Sequence, residues 1–129
     1  MCARAVSPAP EREHTHGEMI EQLLAGHRHR LPRNPVFVET GCGISTLLLA
    51  SAGKAFNARI ISCDHNGKKI QALRKRAGER VSNVEFLYGD SVAMLQQLAQ
   101  EHAQIHFLFL DAAASAMHTF RECLAVEPC

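Results

Sequence analysis

The stretch Val36-Phe-Val-Glu-Thr-Gly-Cys-Gly-Ile-Ser-Thr-Leu-Leu-Leu-Ala50 decides the fold. An apolar run reaches an acid at Glu39, a glycine pair follows at Gly41 and Gly43, and an apolar helical pattern starts at Ile44. That order reads as strand, tight loop and helix, the opening of a nucleotide-type α/β fold with its ligand held where the strand ends. Glu39 stands where it can accept hydrogen bonds from a ligand. Gly41 and Gly43 permit positive φ and close approach of the backbone. A Gly-x-Gly after a strand is also an ordinary turn, so the residues downstream carry the decision.

Three further acids follow three further apolar runs. Asp64 closes Ala58-Arg-Ile-Ile-Ser-Cys63, Asp90 follows Val84-Glu-Phe-Leu-Tyr-Gly89, and Asp111 follows Ile105-His-Phe-Leu-Phe-Leu110. Helical patterns separate the runs, over about Gly67 to Arg80 and Ser91 to His102. Strands alternating with helices imply a Rossmann-like, doubly wound parallel sheet with right-handed crossovers. In such a sheet the strand ends share one edge, so the four acids converge on one crevice. The expected spatial order is 3-2-1-4.

In these motifs the chain resembles the class I S-adenosylmethionine-dependent methyltransferases, in particular small-molecule O-methyltransferase-like members. The resemblance runs from about Val36 to Glu127. It implies S-adenosylmethionine as cofactor and a small-molecule methyl acceptor. Glu39, Thr40, Gly41, Cys42, Gly43 and Ser45 match the first motif, which faces the methionine part. Asp64, followed by His65, takes the place of the acid that grips the ribose hydroxyls. Asp90 and Ser91 match the segment that contacts adenine. Asp111 falls beside the methyl-transfer centre, as the one candidate catalytic residue and a further cofactor contact. Each acid also has a plainer reading: Asp90 as a helix N-cap, Asp111 as a cap or turn residue, Asp64 as a turn residue.

A nicotinamide-dinucleotide oxidoreductase is the competing enzyme reading. Its fingerprint calls for a third glycine where this chain has Thr46. A carboxylate such as Glu39 also suits a cofactor bearing an amino group better than one bearing two phosphates. The non-enzymatic rival is a fragment that binds a cofactor or a partner without catalysis.

Composition narrows the rest. The chain has 129 residues and a formal net charge of +1, enough for one modest core and no general drive toward nucleic acid or acidic membranes. Residues 1–14 read as a flexible start without the apolar core of a signal peptide, ahead of a partial cofactor-binding domain over 15–129. No run approaches the ~20 apolar residues of a membrane span. Five cysteines without a Cys-x-x-Cys pair indicate neither a disulfide framework nor a thiolate zinc site, and fit a reducing, cytoplasmic compartment. His14 and His16, like His27 and His29, are spaced two apart and do not share a helix face, so no metal site is expected. Lys68, Lys69, Arg74, Lys75, Arg76 and Arg80 make the third helix basic. Without interleaved aromatics in that segment, it reads as a solvated face.

A first helix starts at the capping-box pattern Thr15-His-Gly-Glu18, presents Met19, Ile20, Leu23 and Leu24, and resembles a partial lid over the cofactor edge. The second helix is expected over Ile44–Ala52, stopped by Gly53, and the fourth turns Val92, Leu95, Leu98 and Ala99 inward. A last helix is expected over Met117–Val126. Ala112-Ala-Ala-Ser115 after Asp111 supplies neither a general base nor further metal ligands. The family's later strands have no counterpart before Cys129, so the chain reads as the cofactor-binding half of a larger domain. Its apolar Ile105–Leu110 strand would then lie on an open edge and pair with another copy.

Overall fold

A computed structural model describes residues 15–101, 104–111, 121 and 124. The expected flexible start at 1–14 lies outside the described residues. So does the expected last helix, apart from Arg121 and Leu124, which are helical. Among the residues described through Asp111, four helices and four strands alternate: α1 (Thr15–Gly26), β1 (Val36–Thr40), α2 (Ile44–Phe56), β2 (Arg59–Asp64), α3 (Gly67–Ala77), β3 (Val84–Tyr88), α4 (Ser91–Glu101) and β4 (Phe107–Leu110). Short 3-10 helices follow α1 at Arg28–Arg30 and α3 at Gly78–Val81, so the third helix ends earlier than Arg80.

All strand pairs are parallel and the order is β3-β2-β1-β4. Residues alternate between two faces along each strand. On one face Phe37, Ile60, Phe107 and Phe109 pack with Ile20 and Leu24 of α1 and Leu49 and Ala50 of α2. On the other, Val38, Ile61, Cys63, Leu108 and Leu110 pack with Leu95 and Leu98 of α4. Helices on both faces explain why β1 and β4 read as nearly continuous apolar runs. The four side chains of β4 are at most 3% exposed, because both helical layers cover them. α1 contributes Ile20 and Leu24 to the core, as its apolar stripe requires.

The end of α2 also differs from the sequence reading. Gly53 does not stop α2, which continues through Phe56 and ends on Asn57 in the left-handed conformation (φ 52°). Gly53 is small for a packing reason: a Cβ there would come within 2.4 Å of the Ile60 Cδ1 atom. The glycine lets the helix sit close on β2.

Candidate functional site

The carboxyl ends of the four strands form the candidate site, and its centre is the loop from Gly41 to Gly43. Gly41 takes φ 84°, a conformation that favours glycine. Gly43 does not share that need, contrary to the sequence reading. Its φ of 165° is extended backbone, and a Cβ added there meets nothing within 4 Å. A side chain at this position would project into open space. Gly43→Ala is therefore expected to leave the thermal midpoint unchanged and to weaken cofactor binding at least about tenfold by occupying that space. A calorimetric titration beside a melting curve checks both halves.

The loop amides all point inward. Gly41 N–H donates to the Cys63 carbonyl at 2.7 Å, Cys42 N–H to Asp64 Oδ2 at 2.9 Å, and Gly43 N–H to Thr46 Oγ1 at 2.9 Å. Each donor thus already has a partner in the folded chain. A pyrophosphate-binding loop works by presenting such amides to the ligand. This loop instead uses those amides inside the folded chain.

Glu39 anchors the loop from below. It is completely buried, and three hydroxyls donate to its carboxylate: Ser45 to Oε2 at 2.7 Å, Ser62 to Oε1 at 2.8 Å, and Thr46 to Oε1. The carboxyl joins β1, β2 and the first turn of α2. Burial pushes its pKa from 4.5 up to about 7, against the three hydroxyls that lower it, and the charge of Asp111 adds to the rise. Thr46, where a dinucleotide fold would carry glycine, relays between the Gly43 amide and Glu39. Thr46 and Ser62 were not legible as site residues. An acid buried under its own loop needs hydroxyl donors nearby, and that need was the available signal.

Asp64 ends β2 and is 3% exposed, so it does not stand open to solvent. Besides the Cys42 amide it accepts the Asn66 amide on Oδ1 at 2.8 Å, and Lys69 Nζ lies 3.6 Å from Oδ2. Burial raises its pKa, but the two amides and the Lys69 charge outweigh burial and hold the carboxyl below its ordinary range. His65 beside it is exposed, with Nδ1 at 3.7 Å from Asp64 Oδ1. Burial and the adjacent Asp64 push the Cys42 thiol up to about 12, so it stays protonated and unreactive.

Asp90 caps α4: its Oδ2 accepts from the Ala93 amide at 3.0 Å, and Ser91 behind it is buried. Asp111 is exposed at the end of β4, and its amide donates to the Thr40 carbonyl at 3.0 Å and Thr40 Oγ1 at 3.2 Å. Topology brings Glu39, Asp64, Asp90 and Asp111 to the carboxyl edge of one sheet, with Glu39 beneath the surface and Asp90 and Asp111 on it. Among the described residues no three His, Cys, Asp or Glu side chains gather to hold a metal ion. Among those same residues no helix is long and apolar enough to cross a membrane.

A parallel sheet of order 3-2-1-4, with its polar groups at the carboxyl edge, defines a Rossmann-like ligand-binding domain. Residues 38–129 match the family model described as a methyltransferase domain, and the chain belongs to that family. Comparison with curated proteins finds no match.

Proposed function

We propose that this chain binds S-adenosylmethionine across the carboxyl edge of its sheet and directs the methyl group to a small-molecule acceptor beside Asp111. The observation that carries the reading is the inward set of the Gly41, Cys42 and Gly43 amides. A loop whose amides are already satisfied has no donors left to present and holds a pyrophosphate poorly. The open space at Gly43 and the ionised carboxyl of Asp64 fit the same cofactor. Asp64 takes one backbone hydrogen bond on each oxygen beside the Cys42 thiol and Lys69, and its ionised carboxylate is the acceptor offered to a ribose hydroxyl.

When bound, the cofactor supplies a sulfonium-activated methyl group for in-line displacement. The chain's own residues position and exclude. Carbonyls of Gly41 and Cys42 accept from the amino group, and Glu39 keeps that loop rigid through Ser45 and Thr46. Asp64 accepts from the ribose, His65 covers its outer side, and Asp90 and Ser91 at the start of α4 border the adenine. Asp111, fixed through its amide to Thr40, orients the acceptor. Holding the reacting groups close and aligned contributes several kcal/mol without a covalent intermediate.

Isothermal titration with S-adenosylmethionine, S-adenosylhomocysteine and NAD tests the reading. Micromolar binding of the first two with none of NAD is expected. Binding of NAD alone would replace it with the oxidoreductase reading.

A further inference from the structure

The segment from Gly67 to Val81, α3 and the 3-10 helix after it, carries six of the chain's fourteen lysines and arginines and one of its thirteen acids. A net charge near zero for the whole chain therefore hides a strongly cationic ridge on one side. Two grooves flank that ridge. The smaller, about 270 Å³, lies against α2 and is lined in part by Lys69, Arg76 and Arg80. The larger, about 700 Å³, lies between α3 and the edge strand β3. Neither is lined by an acid.

The larger groove supplies what the helix alone lacks. His65, Lys68, Gln71 and Arg74 form one wall, and Phe86 and Tyr88 form the other. Phe86 and Tyr88 alternate along β3, so they stand on the face that α3 covers. The Arg74 guanidinium stacks over the Phe86 ring at 5.6 Å. Tyr88 is 70% exposed, one of the few large apolar side chains left in water. Its ring edge lies beside Gly67, where a Cβ would come to 3.4 Å, so the ring is braced from behind. The nearest acid on β3, Glu85, is on the opposite face and is paired with Arg59 at 2.8 Å.

We infer that this groove docks a single-stranded nucleic acid, with a base stacked on Tyr88 and phosphates along Lys68 and Arg74. An exposed, braced aromatic ring gives a sequence-tolerant stacking platform, and a cationic groove tracks the backbone. Gln71 adds base-edge hydrogen bonding through its planar amide. An open groove along a helix suits an extended chain better than a compact small ligand. β3 and β4 are three strand spacings apart, about 14 Å. A docked strand therefore leaves the neighbourhood of Asp111 free.

Fluorescence anisotropy of the full chain with a labelled twelve-residue oligouridylate tests the inference without cofactor. Micromolar binding is expected at about 50 mM salt, falling about sevenfold by about 200 mM if phosphates are contacted at Lys68 and Arg74. Tyr88→Ala should weaken it at least about fivefold and Tyr88→Phe should not, which separates stacking from loss of fold. The paired substitution Lys68→Glu with Arg74→Glu should abolish it. S-adenosylmethionine affinity of Tyr88→Ala, measured by calorimetry, should stay at the wild-type value whether or not the oligonucleotide binds. No binding at about 50 mM salt, indifference to Tyr88→Ala, or equal affinity for a polyglutamate peptide would overturn the proposal.

Discussion

Replacing Glu39 by leucine is expected to lower the free energy of unfolding by roughly 3–5 kcal/mol. The substitution strands the hydroxyls of Ser45, Thr46 and Ser62, two of them on residues with no solvent contact, and each unmet buried group costs about 1–3 kcal/mol. Glu39→Gln, which keeps the shape and one carbonyl acceptor, should cost about 1 kcal/mol. Both variants should also separate from the wild type by pH. The folded-state pKa of Glu39 is raised, so the folded chain binds more protons than the unfolded chain between about 4.5 and about 7. Stability from this group is complete below 4.5 and falls as pH climbs to about 7, by roughly 3 kcal/mol at about 1.4 kcal/mol per pH unit. His106 acts in the opposite sense. Burial lowers its pKa, its neutral Nδ1 accepts from the Val36 amide at 2.9 Å, and its contribution is lost as pH falls. The difference between wild type and Glu39→Gln cancels His106. Urea melts at four pH values from about 5 to about 8 should show that difference reversing, from about 1 kcal/mol in favour of wild type at acid pH to about 2 kcal/mol in favour of Glu39→Gln above about pH 7. A constant difference would sink the assignment of a titrating Glu39.

Asp64→Ala should damage both fold and binding. It removes the acceptor of the Cys42 and Asn66 amides, and hydrogen bonds to a charged group are worth about 1.5–3 kcal/mol each without adding fully. We expect a loss of roughly 2–4 kcal/mol in stability and about a hundredfold in S-adenosylmethionine affinity. Asp64→Asn should remain folded and still bind at least about tenfold more weakly, which isolates the ribose contact from the loop. An unchanged melting midpoint in the alanine variant would contradict the structural role. An unchanged dissociation constant in the asparagine variant would contradict the binding role. The depressed pKa of Asp64 gives stability that is present above its ordinary 3.8 and lost as pH falls through the lower folded value. That window lies below the one in which Glu39 acts.

The strand–helix alternation and the order of the sheet were legible because each strand is an apolar run closed by an acid, and each helix carries its own stripe. The helix boundary at Gly53 was not, because the reason for that glycine is a methyl group of Ile60 in the next strand. Glu39 was correctly placed at the strand end, yet its sequence context cannot say that hydroxyls from α2 and β2 enclose it. Asp64 reads as a polar terminus at a solvent edge, whereas the amides that bury it come from the loop 22 residues earlier and the turn that follows. The basic third helix reads as a solvated face because its aromatic neighbours, Phe86 and Tyr88, arrive from a strand beyond the next turn. Local pattern reveals elements; partners supplied by other elements appear only in three dimensions.

The clasp between Asp111 and Thr40 joins residues 71 positions apart, while β1–β2 and β2–β3 each join neighbours along the chain. Loop closure over such a span is the slower step, since its entropy is lost before the contact forms. Three strands and the Glu39 cage can assemble from residues 36–88 before β4 has docked. Emergence from the ribosome runs in the same direction. The crevice beside Asp111 therefore takes shape last, on a floor already laid by the first three strands.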